Sequence, residues 1–372
     1  MYSFAALPII DCHFHTHMRI DEVDKANMYM SRDDESKASV MDLMDSCDLE
    51  AINLVSSTGS VVGKEHMNEN LVTALFKFLY PERIYAFGGL HHYWPGVSQD
   101  QLDYAGQAKK LRDLGFDGIK MIEGKPTVRK ALGRPLDSPD FDAYYAFLEA
   151  EQFPLLLHVG DPEGFWNPGA MYSDPSFVER EALYREAEGI LTKFPRIKII
   201  FAHFYFMASD IDRASGFLDK WPDVSFDLTP GPSMYGYFSQ APEKWRSFFI
   251  KYQDRILLGT DNHAEKRNFG PEAPAEYWPT PKIYAMRTFL ETDREFRGWH
   301  RDLKGICLEK EVLEKIYCRN FQRYAGENPR KLNTEFAIHE CKHLMDMASK
   351  NSVTHDVFSQ MQEFLNRIVE RG

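Results

Sequence analysis

Histidine and aspartate alternate in the segment Asp11-Cys-His-Phe-His15 near the start of the chain. Alternate residues of a β-strand point to the same face, so Asp11, His13 and His15 would leave one strand together. Two imidazoles spaced in this way can hold one metal ion. A buried histidine can also simply satisfy a hydrogen bond, so this segment by itself leaves both interpretations open.

Three further candidates each end a short apolar run. His158 ends Leu-Leu-Leu-His, His203 ends Ile-Phe-Ala-His, and Asp261 ends Leu-Leu-Gly-Thr-Asp. Lys120 has the corresponding place in Gly-Ile-Lys-Met. Imidazole nitrogen and carboxylate oxygen are donors that suit zinc, manganese or iron. These residues predict a divalent-metal site, provided that the fold brings the ends of the runs together.

Eight runs of strand length indicate such a fold. They span residues 8–15, 51–57, 83–90, 116–122, 153–159, 198–203, 224–228 and 256–261. Most are continuously apolar, which is typical of strands buried on both faces of a parallel sheet. Helical patterns with apolar residues three and four apart lie between successive runs. Eight alternations of strand and helix predict a (β/α)8 TIM barrel, whose active sites lie at the carboxyl ends of the strands.

An open doubly wound sheet is the alternative arrangement. That fold places a glycine-rich phosphate-binding turn after its first strand. Here the first run continues through Asp-Cys-His-Phe-His-Thr-His, which contains no glycine. The barrel is therefore the fold that the sequence favours.

The pattern becomes purely helical after Ile306, with predicted helices over residues 309–324, 334–347 and 354–369. We therefore expect a barrel domain over residues 1–326 and a C-terminal helical extension over residues 327–372. The last helix carries one apolar stripe, which includes Val357, Met361 and Phe364. This stripe could pack on the barrel or join two subunits, so a homo-oligomer is a possible assembly.

The composition excludes several classes of protein. The 372 residues carry a formal charge of −12, which argues against a nucleic-acid binder that works by bulk positive charge. No apolar run reaches the roughly 18 residues of a membrane-spanning helix, and no secretion signal is evident at the start. The five cysteines are odd in number and scattered, which fits reduced thiols. We expect a cytoplasmic protein that acts on a small molecule.

Taken together, Asp-x-His-x-His in the first run, histidines ending the fifth and sixth, and Gly-Thr-Asp ending the eighth resemble the amidohydrolase superfamily. The resemblance covers about residues 8–325 and is nearest to the branch that holds aminocarboxymuconate-semialdehyde and resorcylate decarboxylases and many uncharacterised amidohydrolases. It implies that His13, His15, His158 and Asp261 hold a divalent metal, with one zinc ion favoured over manganese or iron. It also implies that His203 stays unligated beside the reacting group.

The resemblance further implies a hydrolase. Bound metal would lower the pKa of a water molecule to about 7, and the resulting hydroxide would attack the C–N or C–O bond of an amide, lactam or lactone. Asp261 would be the general base, His203 would orient the water or polarise the carbonyl, and Asp11 would hold a ligand imidazole from behind. A metal-dependent decarboxylase of an aromatic or unsaturated carboxylic acid uses the same ligands and is the alternative function. A non-catalytic barrel is disfavoured, because structural zinc sites are usually closed and rich in cysteine.

Four residues are candidates for substrate binding. The lysine at the place of Lys120 is carboxylated and bridges two ions in two-metal relatives, whereas we favour one ion here and a free ammonium that binds a substrate carboxylate. Arg19 could assist or be a solvated loop charge. Trp94 and Trp166 belong to aromatic-rich loops that could line a pocket for a planar substrate or merely pack over the barrel rim.

Two local sequences add expectations of their own. Relatives often place a small residue or glycine after the histidine of the sixth run, so Phe204 and Tyr205 predict a bulkier pocket floor.

His339-Glu-Cys-Lys-His343 fits the H-E-x-x-H pattern of zinc proteases. Because this pattern follows a complete barrel and few residues remain for a third ligand, we expect an ordinary helix face there.

Overall fold

The computed structural model describes residues 4–15, 18–31, 37–56, 58, 67–94, 97–231, 233–263, 273–351 and 353–371. Its main sheet is parallel, and successive strands are neighbours. The strands are β1 Ile10–His15, β2 Ala51–Val55, β3 Ile84–Gly89, β4 Gly118–Gly124, β5 Leu155–Val159, β6 Ile199–Phe201, β7 Val224–Asp227, and β8 with two paired segments, Ile256–Leu257 and Asn262–His263. Strands β1 to β7 each begin and end within two residues of a predicted run. The first segment of β8 begins where the run over residues 256–261 was predicted to begin, and the second segment follows that run.

Strand β8 closes the sheet into a barrel. Its first segment pairs with β7 and its second segment pairs with β1. Between the two segments, the Cys12 N–H donates to the Leu258 carbonyl at 2.9 Å, and the Asp261 N–H donates to the His13 carbonyl at 2.8 Å. The predicted TIM barrel is confirmed, and the strand that carries Asp261 lies directly beside the strand that carries the histidine pair.

Helices lie between the strands and after the last strand. They are α1 Val40–Ser46, α2 Glu69–Leu79, α3 Tyr104–Leu114, α4 Pro126–Leu132, α5 Asp142–Glu151, α6 Arg180–Lys193, α7 Ile211–Lys220, α8 Met234–Gln240, α9 Pro242–Lys251, α10 Pro279–Glu291, α11 Lys310–Glu314 and α12 Asn320–Ala325. Helix α3 shows how local sequence sets such bounds. The Asp103 carboxylate accepts the Gly106 N–H at 2.7 Å at its start. Gly115 takes φ of 93° at its end, a conformation that glycine adopts readily.

Helix α12 closes the bottom of the barrel. The Phe321 ring contacts Tyr85 edge-on at 5.0 Å and Phe87 at 5.9 Å between ring centroids. The Asn320 amide donates to the Ile256 carbonyl at 2.7 Å, which joins the helix to β8. The helix predicted over residues 309–324 is interrupted by a π-helical turn, Lys315–Arg319, between α11 and α12. The floor of the barrel is therefore a packed apolar plug, and its open end is the carboxyl end of the strands.

The C-terminal extension forms an antiparallel pair, α13 Thr334–Lys350 and α14 His355–Arg371. This pair packs against α2, α3 and the short turn Ile20–Glu22 of the same chain. The Gln360 carboxamide oxygen accepts from the Ile20 N–H at 3.2 Å and from the Asn68 amide at 3.1 Å. Of the two predicted roles for the apolar stripe of α14, packing on its own barrel is the one observed. The domain boundary at residues 326 and 327 stays a prediction.

Two antiparallel pairs were not predicted: Met28–Tyr29 with Lys37–Ala38, and Glu295–Gly298 with Arg301–Lys304. Both are too short to show a clear period-two pattern in the sequence. Within the described part of the chain, no helix has the length and apolar character needed to cross a membrane.

Candidate metal centre

His13 and His15 of β1 and Asp261 of β8 form a compact group of donor atoms. The two Nε2 atoms lie 3.2 Å apart. Asp261 Oδ1 lies 2.9 Å from His15 Nε2 and 3.8 Å from His13 Nε2. Ligands of one tetrahedral zinc ion, each about 2.0–2.2 Å from the metal, lie about 3.4 Å from one another. The three donors therefore fit one divalent ion in chemistry and in spacing.

Asp227, at the end of β7, orients the His13 ring. Its Oδ2 lies 2.8 Å from His13 Nδ1, and both side chains are fully buried. A carboxylate only accepts, so His13 carries its proton on Nδ1 and directs the Nε2 lone pair toward His15 and Asp261. Asp227 Oδ1 also accepts the His203 N–H at 2.7 Å. Asp227 was not among the predicted site residues, although a carboxylate near the end of a buried apolar strand was a signal.

Asp11 takes a different place from the one predicted. Its Oδ1 accepts the backbone N–H groups of His13 at 3.1 Å and Thr260 at 3.0 Å, and its Oδ2 accepts the Thr260 hydroxyl. It thus joins the β1 and β8 backbones and does not hold an imidazole. Complete burial raises the pKa of Asp11 to about 7, although its hydrogen bonds with Thr260 and His13 act in the opposite direction. Asp227 has the position behind the His13 imidazole that was predicted for Asp11.

Asp261 is held as a carboxylate by its histidine neighbours. Burial would raise the pKa of Asp261, but the hydrogen bond and charge of His15 outweigh it, and the pKa lies well below its usual range. His263 adds to this effect and stacks on His15, with ring centroids 4.8 Å apart. Asp261 itself has φ of 56°, an uncommon conformation for a residue other than glycine. The backbone at the end of β8 is thus shaped to bring this carboxylate to the histidine pair.

Lys120 is the third residue of β4 and not its last, as had been predicted, but its amine still reaches His13 across the barrel interior. Its Nζ is 2.9 Å from His13 Nε2, and the residue is buried. Burial lowers the pKa of Lys120 to about 8, against the opposing attraction of Asp227 and Asp261. The amine therefore approaches the same lone pair of His13 that a metal ion would use.

His158 is close to the group without being part of it. Its Nε2 lies 2.9 Å from the Gly160 carbonyl, which accepts a hydrogen bond, and the Asp161 carboxylate is 3.6 Å away. His158 therefore carries its proton on Nε2 and has a lone pair on Nδ1. Asp161 is fixed in turn by Lys125 at 3.2 Å and by the Tyr172 hydroxyl. The tautomer suits a metal ligand, while the distance leaves His158 outside the three-residue group.

His203 begins an unusual left-handed turn after β6. Four consecutive residues, His203 to Phe206, have φ of 57°, 54°, 53° and 48°. This conformation costs roughly 1–2 kcal/mol for each residue that has a Cβ, and such strain is concentrated at functional sites. The His203 ring contacts His158 edge-on at 4.8 Å, and its Nδ1 is buried with no hydrogen-bond partner among the described residues. Burial and the charge of His158 lower the pKa of His203 to about 4, so its imidazole is neutral near pH 7.

Phe204 and Tyr205 do not form the pocket floor that their positions suggested. The turn directs Phe204 into a buried aromatic cluster of the β7 region, with Phe226 and Phe238 each 5.0 Å away. Tyr205 stacks on Phe201 at 4.2 Å. Both side chains are fully buried and anchor the turn from outside the barrel.

Three predicted substrate residues are not brought to the donor group. The Arg19 guanidinium is paired with Asp21 at 3.0 Å and with Asp356 of α14 at 2.7 Å. The Trp166 indole donates to the Val178 carbonyl at 3.0 Å. Trp94 stacks on His91 and lines a separate cavity of about 250 Å³ between α2, α3 and α13. These side chains fix loops and helices around the rim.

The H-E-x-x-H segment lies on α13, away from the barrel mouth. His339 and His343 are exposed on the helix surface. Glu340 is paired with Lys110 of α3 at 3.1 Å. Among the described residues, His13, His15 and Asp261 are the one group of three or more such side chains close enough to hold a metal ion. The pattern is an ordinary helix face, as expected.

A family model described as Amidohydrolase matches residues 10–323. This match spans most of the chain, and the protein belongs to the amidohydrolase family. No curated protein matches the sequence. The family match ends in α12, so the extension formed by α13 and α14 lies outside it.

Solved structures share the fold. An uncharacterised TIM-barrel protein from Bordetella bronchiseptica is 16% identical, with a TM-score of 0.54, over 86% of this chain and 99% of that one. A 2,6-dihydroxybenzoate decarboxylase from Rhizobium is 15% identical, with a TM-score of 0.51, over 86% and 98%. A 4-oxalomesaconate hydratase from Rhodopseudomonas palustris is 15% identical, with a TM-score of 0.51, over 91% and 99%. At such identities the likeness concerns the fold alone.

Proposed function

We propose that the protein is a metal-dependent hydrolase that cleaves the C–N or C–O bond of a small molecule such as an amide, lactam or lactone. The observation that carries this proposal is the Asp261 carboxylate, 2.9 Å from His15 Nε2 and 3.8 Å from His13 Nε2. A divalent metal held by His13, His15 and Asp261, with His158 as a further donor, would polarise a substrate carbonyl and lower the pKa of a water molecule to about 7. Imidazole and carboxylate donors favour zinc, with manganese or iron as alternatives.

The side chains of the site divide the proton transfers among them. Asp261 is ionised, so it can accept a proton from the attacking water and return it to the leaving group. Neutral His203 can donate a hydrogen bond to the carbonyl oxygen as negative charge develops there. Asp227 keeps the His13 Nε2 lone pair directed into the site. We assign Lys120 to a negatively charged substrate group close to His13, as a single unmodified amine beside one ion.

A decarboxylase of an aromatic acid is the second candidate. An aromatic-lined cavity beside His203 favours a planar substrate, and a dihydroxybenzoate decarboxylase shares the fold. Decarboxylation requires a proton donor to the carbon that loses carbon dioxide. Asp261 as a carboxylate and His203 as a neutral imidazole are both weak donors near pH 7. Hydrolysis uses these two groups in the protonation states that their surroundings favour.

Metal content tests the site. We expect about one zinc, manganese or iron per chain by plasma mass spectrometry in protein purified without chelator, and its loss in the His13→Ala/His15→Ala double variant. The His339→Ala/His343→Ala double variant is the matched control and should keep its metal. Loss of metal in the control alone, or no metal in folded wild-type protein, would contradict the proposal.

Substrate screening tests the reaction. Lactones and amides are assayed for acid release, and hydroxybenzoates are assayed for release of carbon dioxide. We expect hydrolysis that disappears in the His13→Ala/His15→Ala variant. Release of carbon dioxide without any hydrolysis would establish the second candidate in place of the first.

A further inference from the structure

A cavity of about 200 Å³ opens beside His203 at the carboxyl ends of β5, β6 and β7. Phe165, Phe206, Met234 and Tyr237 contribute much of its apolar wall. An apolar cavity of about 150 Å³ is large enough for benzene, so this one has room for a single six-membered ring. No lysine or arginine is present among the described residues that line it, and its one acidic residue, Glu163, is 71% exposed.

The left-handed turn places the Phe206 ring in this cavity. The Tyr184 hydroxyl donates to the Tyr205 carbonyl at 3.1 Å, and the Arg180 guanidinium donates to the Phe206 carbonyl at 3.1 Å. Both donors come from α6, which packs outside the barrel. These bonds satisfy carbonyls that the left-handed backbone directs away from ordinary helix partners. The turn is therefore held from behind while Phe206 faces the cavity.

The Phe206 ring presents a flat surface next to His203. It is nearly parallel to the ring of His203, with centroids 5.1 Å apart and an interplanar angle of 21°. Two edges of the ring lie close to the backbone at Gly231 and Gly160. A Cβ at Gly231 would lie 3.8 Å from Phe206 Cε1, and one at Gly160 would lie 4.0 Å from Cδ2. The ring thus spans the loops that follow β5 and β7, and it remains partly exposed to the cavity.

We propose that Phe206 is a specificity-determining residue and that this cavity receives an uncharged aromatic ring of the substrate, stacked against Phe206. The position of the reacting bond at Asp261 rests on the proposed function, whereas the ring site rests on the cavity and the turn. A ring that carried a second anionic group would have to lose its hydration without a lining cation to replace it. Stacking would instead add the attraction between two aromatic rings to the burial of apolar surface.

Fluorine NMR of 4-fluorophenol tests the ring site without a known substrate. We expect saturable binding to the wild-type protein. Binding to Phe206→Gly and Phe206→Leu should be roughly tenfold weaker, because the loss of one stacking contact changes an affinity by about that factor. Glycine suits the positive φ at this position, so Phe206→Gly should fold, which its thermal unfolding will verify. Trp94→Leu, in the separate cavity, is the matched control and should bind like the wild type. The dianion 5-fluoroisophthalate should not displace 4-fluorophenol.

Four results would overturn the inference. The first is no saturable binding up to about 10 mM, which corresponds to less than about 3 kcal/mol of binding free energy. The second is binding by both Phe206 variants that is as tight as binding by the wild type. The third is weakening by Trp94→Leu alone, and the fourth is displacement by the dianion. The His13→Ala/His15→Ala variant separates this inference from the proposed function. If that variant loses its metal and still binds 4-fluorophenol, the two sites are independent. If the wild type has no metal and still binds it, the proposed function fails and the ring site stands.

Discussion

His13 illustrates how single residues are prepared for chemistry by their neighbours. One ring nitrogen meets the Asp227 carboxylate at 2.8 Å, and the other faces His15, Lys120 and Asp261. The first contact decides the tautomer, and the tautomer decides which nitrogen can bind a metal. Asp261 is prepared in a similar way, because His15, His263 and His13 keep its carboxylate ionised although the side chain is largely enclosed. The chemistry of the site therefore depends on pairs of residues.

Replacing Asp261 with Asn tests its role as the general base. The amide keeps the shape and one oxygen of the side chain but cannot accept a proton, so we expect turnover to fall by about 10²–10⁴-fold. The metal content and the thermal unfolding temperature should change little. Steady-state kinetics on a hydrolysed substrate provide the measurement, and unchanged turnover would refute the assignment.

Replacing Lys120 with Met tests whether the lysine ammonium and a metal ion compete for His13 Nε2. An ammonium 2.9 Å from His13 Nε2 repels a divalent ion that binds the same atom. Without it, we expect metal to be retained against a chelator roughly tenfold more strongly, which corresponds to about 1.4 kcal/mol. Competition with a chromogenic chelator measures this affinity. Weaker retention in the variant would show instead that Lys120 is part of the metal site, as in two-metal relatives.

At the scale of elements, a buried ion pair joins α2 to β3 and β4. Lys77 Nζ donates to Asp117 Oδ2 at 2.6 Å, and both side chains are fully buried. The same carboxylate accepts the N–H groups of Ala86 and Arg330, each at 2.7 Å. Asp117 thus connects two barrel strands with the segment that leads into α13. This arrangement stabilises the part of the barrel that carries Lys120.

Replacing Asp117 with Ala should be severely destabilising. It leaves the Lys77 ammonium buried without its partner, and we expect a loss of about 3–5 kcal/mol in the free energy of unfolding. Denaturant titration measures it. The double variant Lys77→Met/Asp117→Asn removes both charges and should recover much of the loss. A double variant as unstable as the single one would argue that the backbone hydrogen bonds, rather than the charges, dominate.

At the scale of the whole molecule, the C-terminal extension packs against one side of the barrel and stabilises it. Asp356 and Gln360 of α14 hold the segment that follows β1, through Arg19 at 2.7 Å and Ile20 at 3.2 Å. The apolar stripe of the helix is buried, and it includes Val357, Met361 and Phe364. Because the contacts are both polar and apolar, we expect the extension and the barrel to unfold together.

Replacing Phe364 with Ala tests this coupling. The side chain is fully buried, and its truncation should cost about 3–5 kcal/mol in a single unfolding transition. Val369, which is 66% exposed on the same helix, is the control, and Val369→Ala should change stability by less than about 0.5 kcal/mol. Two separate transitions, with the main midpoint unchanged, would show that the extension is an independent domain.

Thiol reactivity reports on the integrity of the whole fold. Cys307 is exposed and the other four cysteines are buried. Burial raises the pKa of Cys318 to about 11 and of Cys341 to about 12, and it also raises the pKa of Cys12 and Cys47. At pH 8 we therefore expect one thiol to react rapidly with a disulfide reagent and all five to react after unfolding. Rapid reaction of the Cys307→Ser variant would contradict this expectation.

Local sequence patterns were enough to predict the barrel and most of the candidate donors. Burial on both faces makes a strand continuously apolar over a few residues, and this local signal located all eight strands. The polar residue that ends such a run stands out, so His158, His203 and Asp261 could be found by position alone. Their common location then follows from the rule that parallel strands end at the same edge of a barrel.

The partners of these residues depend on how the whole chain folds. Asp227 is 214 residues from His13, and Asp356 is 337 residues from Arg19, so no local pattern relates either pair. The left-handed turn that directs Phe206 into the cavity depends on hydrogen bonds from α6 and on buried anchors, which outweigh the intrinsic preference of its residues. Local sequence records burial and periodicity, whereas the pairing of distant side chains and the strain that packing imposes arise only when the chain is folded.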